Sequence, residues 1–293
     1  MGKSALALAV AKEFSAEIVS ADSMQIYKKL DIGTAKPSPQ EREEVTHHLL
    51  DVVEPWESFD LSTYQKLALG AISDIHRRGK LPLLSGGTGL YVRSVLEDYL
   101  FTEESSAPSI RSELSQMSTV DLLAKLKAVD PKSALRLHPN DRRRLERALE
   151  VYLVTGKPIS QQQSQMSRKK RFHSLTFCLT RSRPELYRRV EQRVDQMIQE
   201  GLLDEARMLY DLTSAPQQTA MQAIGYKEFF PFFRGECSLE DAISILKRNT
   251  RRYAKRQLTW FRREDVTWLD LTELGEEGTT KKIREIINQE YGL

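Results

Sequence analysis

Short apolar runs alternate with amphipathic segments of helical period along most of the chain. Apolar runs of a few residues between turn residues are typical of buried strands, and apolar positions three and four apart are typical of helices. The pattern predicts strands at 17–20, within 45–53, and at 81–85, 174–180 and 266–270. It predicts helices at 5–12, 59–78, 120–129, 184–200, 239–263 and 280–291, and a further long helix that starts at 139–141. This alternation predicts an α/β fold in which helices flank a parallel sheet.

Residues 102–171 differ in character from the rest of the chain. They begin with an acidic, serine-rich linker at 103–108, and short helical patterns follow, one of them capped by Thr119. Such a break inside an alternating strand–helix chain indicates an inserted domain. We therefore expect residues 1–101 and 172–293 to form the α/β core and residues 102–171 to form a helical insertion.

The composition is that of an ordinary soluble globular protein. Of 293 residues, 40% are hydrophobic and 29% are charged, which fits one large domain or two smaller ones. No apolar run approaches the roughly 18 residues of a membrane span, and no signal peptide is recognisable. The two cysteines, Cys178 and Cys237, have neither metal-ligand nor disulfide spacing. We therefore expect a cytoplasmic protein with no membrane partner.

Basic charge is concentrated in two stretches. Residues 140–171 contain nine Lys or Arg against three acidic residues, and residues 247–263 contain eight Lys or Arg and no acidic residue. The whole chain has a net charge of only +3, so the rest of it is acidic. This distribution is typical of a protein with a polyanionic partner. Four cations at positions i, i+3, i+4 and i+7 of the predicted helix at 239–263 share one face, called here the basic stripe: Arg248, Arg251, Arg252 and Lys255.

The arginines that follow Asp141 occupy an unfavourable place. Arg142, Arg143 and Arg144 fall in the first turn of a predicted helix, where cations oppose the helix dipole. Stability alone would favour acidic residues there. Contact with nucleic-acid phosphates and a solvated basic face both remain possible explanations.

Gly2-Lys3-Ser4 at the start of a helix has the form of the last part of a phosphate-binding P-loop. In such a loop the lysine reaches a terminal phosphate, the hydroxyl binds Mg²⁺, and the helix N-terminus favours the anion. The first glycine of the motif and the strand before it do not precede Gly2. We therefore expect weak diphosphate binding and an open groove where that strand would lie. A plain N-terminal tail is the alternative.

Three further places carry candidate chemistry, and each has a plain structural alternative. Asp22 follows the first strand, where an acid can cap a turn, bind Mg²⁺ or act as a base. Gly86-Gly87-Thr88 follows the 81–85 strand and is either a phosphate-binding loop or a tight turn. Arg189 and Arg193 lie four apart on one helix face, which is either an anion site or a solvated surface.

Two phrases carry a family resemblance. Asp22-Ser23-Met24-Gln25-Ile26-Tyr27, with Asp31-Ile32-Gly33-Thr34-Ala35-Lys36-Pro37 close behind, resembles the signature of the tRNA dimethylallyltransferases, and the resemblance covers nearly the whole chain. It implies a P-loop-type core with a helical insertion that binds the anticodon stem. It implies transfer of a dimethylallyl group from dimethylallyl diphosphate to N6 of the adenine adjacent to the anticodon, position 37, with Mg²⁺ as cofactor. The implied protein is a cytoplasmic monomer of the bacterial type.

The resemblance also implies roles for individual residues. Asp22 corresponds to the base that takes the adenine N6 proton, and Thr88 and Arg189 correspond to catalytic residues near the leaving group. The residues implied for diphosphate binding are Gly2, Lys3, Ser4 and Arg189, with Ser4 also on Mg²⁺. The residues implied for tRNA binding, to which we add the basic stripe, are Asp22, Ser23, Met24, Gln25, Thr88, Arg143, Arg144, Leu145, Glu146, Arg147, Gln222, Gly225, Tyr226 and Lys227.

Three rival functions remain open on the sequence. An adenylate isopentenyltransferase would use the same chemistry on a free nucleotide, and the basic stretches argue against it. A P-loop small-molecule kinase would need an acid at the end of a strand, where the chain instead has Ser85. A catalytically inactive RNA-binding protein is the third alternative.

Overall fold

The computed structural model describes residues 2–98, 108–165, 169–212 and 219–292, which fall into two compact units. The first unit comprises residues 1–95 and 173–293, and the second comprises residues 96–172. The expected domain boundary at 101–102 and the expected linker at 103–108 lie outside the described residues, except for Pro108, which begins a helix. Each unit is described by itself below.

The first unit alternates strands and helices. Its strands are β1 (Glu17–Ser20), β2 (His47–His48), β3 (Pro82–Ser85), β4 (Phe177–Thr180) and β5 (Thr267–Asp270). Its helices are α1 (Lys3–Glu13), α2 (Pro39–Glu44), α3 (Leu61–Arg77), α4 (Gly89–Leu96), α10 (Arg183–Gln199), α11 (Leu202–Asp211), α12 (Phe230–Phe233), α13 (Leu239–Phe261) and α14 (Leu271–Tyr291). Two short 3₁₀ turns lie at Ala220–Gln222 and Lys227–Phe229.

The strands form two parallel sheets, in the orders β2-β1-β3 and β4-β5. All four residues of β1 are buried, as expected for a parallel strand that is covered on both faces. The predicted α/β class with parallel strands is therefore confirmed. Within the described residues, β3 pairs only with β1, and β4 pairs only with β5. Leu83 of β3 and Leu179 of β4 nevertheless pack against the same hydrophobic cluster. The groove expected for a further strand stays a prediction.

Several predicted helix boundaries differ from the observed ones, and two of these differences have a clear local reason. The helix predicted at 59–78 begins at Leu61, because Asp60 is its N-cap and accepts a hydrogen bond from Thr63 N at 2.8 Å. The helix predicted at 280–291 already begins at Leu271, and Gly275 interrupts it with a φ of 68°. No described helix combines the length and the apolar content that crossing a bilayer requires.

Within its described part, the second unit contains helices joined by turns, together with one isolated bridge between Glu97 and Lys170. Its helices are α5 (Pro108–Gln116), α6 (Thr119–Val129), α7 (Pro131–Arg136), α8 (Arg142–Thr155) and α9 (Ile159–Gln165). Four leucines are almost completely buried at its centre: Leu114, Leu122, Leu126 and Leu145. The cap of α6 is Ser118 rather than the predicted Thr119, because the Ser118 hydroxyl accepts from Asp121 N at 3.1 Å.

One of the arginines at the unfavourable start of α8, Arg142, has a structural role. Its guanidinium donates to the carbonyls of Met117 at 2.8 Å and Ser115 at 2.8 Å, which belong to the end of α5 and the turn after it. A cation at a helix C-terminus satisfies carbonyls that have no partner within the helix. Arg142 therefore stabilises the helical unit.

Candidate active site

Asp22 lies two residues beyond β1, at the carboxyl end of its sheet. Its Oδ1 accepts a hydrogen bond from Met24 N at 2.9 Å, so the carboxylate caps the tight turn that follows. The capping role that the sequence left open is therefore present. Capping occupies one lone pair of a group that has about four, which leaves acceptor capacity for other chemistry.

The Gly86–Thr88 loop packs directly against this turn. Ala21 N donates to Ser85 O at 2.8 Å, and Thr88 N donates to Ala21 O at 3.1 Å. A Cβ at position 86 would lie 2.1 Å from Ala21 O, so only glycine fits there. The Thr88 hydroxyl accepts from Ser23 N at 3.1 Å. The structure thus brings the turn that begins with Asp22 and the loop that ends with Thr88 together, although they follow two separate strands.

Lys3 and Arg193 bring positive charge to the same place. A Cβ at Gly87 would lie 2.9 Å from Lys3 Nζ, so the ammonium group reaches the Gly86–Thr88 loop. Burial lowers the pKa of Lys3, and the negative charge of Asp22 opposes this effect. The Arg193 side chain is exposed over much of its surface, yet desolvation of its guanidinium lowers its pKa, and Asp22 again opposes the shift. Asp22 therefore interacts electrostatically with two cations, of which Lys3 reaches the Gly86–Thr88 loop.

Arg189, which the resemblance assigned to the leaving group, has carboxylate partners of its own. Its Nε lies 3.1 Å from Glu185 Oε1, and its Nη1 lies 4.0 Å from Glu276 Oε1. Glu276 Oε1 also lies 3.7 Å from the position of a Cβ on Gly2, so Arg189 is near the start of α1. Sequence spacing alone did not show that Arg193, one helical turn further on, shares the electrostatic neighbourhood of Asp22 and Lys3.

Ser4, the predicted Mg²⁺ ligand, is exposed in the first turn of α1. The described residues contain no group of three His, Cys, Asp or Glu side chains that could hold a metal ion by themselves. Mg²⁺ commonly binds through one or two protein ligands together with substrate phosphates and water. The residues present therefore fit an ion that arrives with a diphosphate, and do not fit a separate protein-only metal site.

Helix α13 adds three residues that the sequence analysis did not assign to the site. Gln257 Nε2 donates to Gly87 O at 3.0 Å. The Trp260 indole covers Gly89, since a Cβ there would lie 2.2 Å from Trp260 Nε1. Burial raises the pKa of Tyr253, and the charge of Asp22 raises it further. The spacing i, i+4, i+7 of Tyr253, Gln257 and Trp260 was the available signal, because these positions share a helix face.

The Gln25 side chain connects the turn after β1 to the second signature phrase, residues 31–37, through hydrogen bonds. Its Nε2 donates to Thr34 O at 3.2 Å and to Ala35 O at 3.1 Å, and its Oε1 accepts from Ser20 Oγ at 3.0 Å. Lys36 then anchors the end of this phrase. Its side chain is 1% exposed, and its ammonium group lies 2.6 Å from Asp51 Oδ1.

The phrase at 220–227 is only partly available to a ligand, which corrects the tRNA-binding assignment. Tyr226 is fully buried, and its ring occupies the space beside Gly33, while Gly225 is buried next to it. Gly225 and Tyr226 therefore pack against Gly33 and support the second signature phrase, residues 31–37. Gln222 is exposed, and Lys227 donates to its carbonyl at 2.9 Å. Gln222 and Lys227 stay predicted tRNA contacts.

The predicted contacts at 143–147 also divide between surface and core. The Leu145 side chain is fully buried in the leucine cluster, so its assignment to tRNA is corrected. Glu146 pairs with Arg142 at 2.7 Å, and Arg147 pairs with the buried Glu150 at 2.8 Å. Arg143 and Arg144 are exposed. Arg144 also pairs with Asp141 at 3.3 Å, so exposure alone makes these two arginines candidates for a phosphate contact.

The basic stripe on α13 does have an acidic partner, contrary to the sequence expectation. Arg251 pairs with Glu191 of α10, because the two helices pack side by side. Arg248, Arg252 and Lys255 are exposed, and no ion pair is seen for them within the described residues. Three of the four stripe cations thus remain open to solvent.

Comparison with known proteins identifies the family. The sequence model of the IPP transferase family matches residues 25–264. The chain belongs to the IPP transferase family. Two curated members, both named tRNA dimethylallyltransferase, are close in sequence. The one from Geobacillus thermodenitrificans is 50% identical over 98% of this chain and 91% of its own length, and the one from Bacillus subtilis is 49% identical over 93% and 88%.

Solved structures of this family agree with the fold. The full-length tRNA isopentenylpyrophosphate transferase from Bacillus halodurans matches with a TM-score of 0.74 and 42% identity, over 98% of this chain and 92% of that one. A eukaryotic dimethylallyltransferase acting on tRNA matches with a TM-score of 0.84 and 34% identity, over 99% and 76%. The family predicted from the two signature phrases is therefore confirmed.

Proposed function

We propose that this IPP transferase family member transfers a dimethylallyl group from dimethylallyl diphosphate to N6 of the adenine adjacent to the anticodon, position 37, in tRNAs. One observation carries the proposal: the Lys3 ammonium group reaches the Gly86–Thr88 loop, which packs against the turn that the Asp22 carboxylate caps. This transfer needs cations near the leaving diphosphate and a proton acceptor near the adenine amine, both at one site. The names of the similar proteins support the same reaction.

In the proposed reaction the allylic C–O bond breaks and the diphosphate leaves with the bonding electrons. Lys3 and Arg193, whose charges both interact with that of Asp22, would stabilise the charge that develops on the diphosphate. The amides of the glycine loop and the start of α1 would contribute further donors. Arg189 of α10, which lies near the start of α1, would contact the diphosphate after leaving its present partner Glu185. Mg²⁺, held by Ser4 and the diphosphate, would supply additional charge neutralisation.

The adenine amine forms the new C–N bond and loses one proton, which we assign to Asp22. The turn held by Met24 N fixes the carboxylate at the loop, next to Thr88. The target base must leave its stack to reach this place, which costs a few kcal/mol and is easiest in a single-stranded loop. Gln25, Ser23 and Met24 line the same turn and are proposed to contact the extruded nucleotide.

Exposed cations are proposed to bind the tRNA backbone: Arg143 and Arg144 on the helical unit, and Arg248, Arg252 and Lys255 on α13. Such contacts contribute affinity and register rather than chemistry. We propose that the enzyme acts as a monomer in the cytoplasm, where its tRNA substrate occurs.

The test is incubation with radiolabelled dimethylallyl diphosphate, Mg²⁺, and either unmodified tRNA or AMP. We expect label in tRNA, and loss of that label when the adenine beside the anticodon is replaced. Label in AMP alone would make the protein an adenylate prenyltransferase. Absence of transfer together with tight tRNA binding would instead indicate an inactive RNA-binding protein.

A further inference from the structure

The Glu205 carboxylate of α11 receives four hydrogen bonds at once. Its Oε2 accepts from Asp31 N at 2.8 Å and from Ile32 N at 3.0 Å. Its Oε1 accepts from Gly33 N at 3.0 Å and from the Tyr226 hydroxyl at 2.6 Å. Three consecutive backbone amides that point to one place form a concave anion site, and here a side chain from a distant part of the sequence fills it.

The surroundings leave this arrangement little freedom. Tyr226 is fully buried, and a Cβ at Gly33 would lie 2.5 Å from its ring. Burial raises the pKa of Tyr226, and Glu205 raises it further, so the hydroxyl keeps its proton and donates it to the carboxylate. The segment 31–33 is thus held between the Tyr226 ring and the Glu205 carboxylate.

This clamp is linked to the candidate site through one side chain. The carbonyls of Thr34 and Ala35, directly after the clamped amides, accept both hydrogen bonds of the Gln25 amide group. Gln25 belongs to the turn that Asp22 begins, and its Oε1 is fixed by Ser20 at the end of β1. A displacement of residues 31–35 would therefore release the Gln25 side chain from its orientation.

We propose that Glu205 is a positioning residue, which holds the 31–35 segment through its three amides and thereby orients Gln25 for tRNA. The inference deepens the proposed function and rests on it for the identity of the ligand. Glu205 itself would contact no reacting atom. Its effect would appear in tRNA binding, while binding of the allylic diphosphate at Lys3 and Arg193 would be unchanged.

A carboxylate is required because every neighbour is a donor. An ionised Glu is an acceptor only, whereas a Gln side chain carries two N–H donors on one of its ends. In Glu205→Gln that end would face either the amides of Asp31 and Ile32 or the Gly33 amide and Tyr226. The substitution keeps the size of the side chain and removes the charge together with half of the acceptor capacity.

The matched control is Asp204→Asn. Asp204 is the preceding residue in the first turn of the same helix, is exposed, and loses the same charge on substitution. Tyr226→Phe is a milder second variant, because it removes the fourth donor and leaves the three amides in place. It also keeps the test possible if Glu205→Gln does not fold.

Three quantities are measured for each variant: KM for tRNA, KM for dimethylallyl diphosphate, and hydrogen exchange at the amides of residues 31–33. For Glu205→Gln we expect KM for tRNA to rise about tenfold, as for the loss of a hydrogen bond to a charged group. We expect faster exchange at residues 31–33, an unchanged KM for the diphosphate, and a smaller effect of the same kind in Tyr226→Phe. Asp204→Asn should match the wild type.

Several results would overturn the inference. A lower Tm with both KM values unchanged would make Glu205 merely structural, and unchanged exchange at residues 31–33 would remove the clamp. Equal rises in both KM values would show a general loss of the site. If the wild type transfers no label to tRNA, the proposed function fails, while exchange and direct tRNA binding still decide whether Glu205 controls the segment.

Discussion

At the scale of single residues, Asp22 combines a structural and a chemical role in one carboxylate. Oδ1 caps the turn by accepting from Met24 N, and the group interacts electrostatically with Lys3 and Arg193. The two roles can be separated, because an amide oxygen can replace a carboxylate oxygen in a cap but an amide cannot take up a proton.

We expect Asp22→Asn to slow prenyl transfer by roughly 10²–10⁴ while tRNA affinity stays within a factor of a few, because general-base catalysis is lost and the turn is kept. Single-turnover rates with saturating tRNA, together with filter binding, measure both quantities. Asp204→Asn, which removes the same charge outside the site, serves as the control. An unchanged single-turnover rate would reject Asp22 as the base.

Arg193 and Arg189 differ in their partners although they lie on the same helix face. Because Arg189 is already paired with Glu185, we expect Arg193→Ala to lower kcat/KM for dimethylallyl diphosphate by about 10²–10³ and Arg189→Ala to lower it less. Steady-state kinetics at fixed saturating tRNA gives the comparison. A larger effect for Arg189 would favour the assignment made from family resemblance.

At the scale of elements, strand β1 is held at its first residue by a cluster of ion pairs. The Glu17 side chain is 3% exposed and accepts from Arg78 Nη2 at 2.6 Å, from Lys80 at 2.8 Å and from His48 Nε2 at 2.7 Å. The hydrogen bonds from Arg78 hold the pKa of Glu17 well below its ordinary value, with Lys80 and His48 adding to the effect. The cluster thus joins β1 to β2 and to the end of α3.

We expect Glu17→Gln to lower the free energy of unfolding at pH 7 by about 3 kcal/mol, because a buried carboxylate with several charged partners is lost. The folded-state pKa is depressed, so this stabilisation is fully present above the unfolded pKa of about 4.3 and is lost progressively as the pH falls from there through the lower folded-state pKa. Urea unfolding at pH 7 and at pH 3 measures the difference, which should shrink at the lower pH.

The control for this experiment is Glu44→Gln, which breaks the exposed pair with Lys12 and should cost about 0–1 kcal/mol at either pH. A Glu17 effect that is equally large at pH 3 would show that packing, and not charge, makes the contribution.

At the scale of the whole molecule, basic charge is concentrated in two stretches of an otherwise acidic chain. In the second stretch, one stripe cation has an acidic partner, and no ion pair is seen for the other three within the described residues. On α13, Arg251 pairs with Glu191, while Arg248, Arg252 and Lys255 face solvent. A phosphate contact therefore requires displacement of an acidic partner at Arg251, but not at Arg248, Arg252 or Lys255.

We expect combined replacement of Arg248, Arg252 and Lys255 by Ala to reduce the slope of log K against log salt for tRNA by about 0.7–0.9 for each cation, because each phosphate contact releases counterions. Filter binding over a series of salt concentrations measures the slope. Arg251→Ala, a cation of the same stripe with its own acidic partner, should change the slope less. An unchanged slope in the triple variant would exclude the stripe as a tRNA contact.

The sequence by itself determined the strand positions, the α/β class, the family and the place of Asp22, because these depend on local runs and on contiguous phrases. The proximity of Asp22 and Thr88 could have been inferred from the sequence, because both follow parallel strands whose carboxyl ends lie at one edge of the sheet. The two basic stretches were also recognisable, because the position of each charged residue along the chain can be read from the sequence.

Only the tertiary structure decided which side chains meet across the chain. Leu145 and Tyr226 lie inside motifs that were assigned to tRNA, yet both are buried, since burial depends on which elements pack around a position. The pairing of Arg189 with Glu185 could have been read from helical spacing, but that of Arg251 with Glu191 required the packing of α10 on α13. The clamp at Glu205 joins residues about 170 positions apart, and no local pattern indicates such a contact.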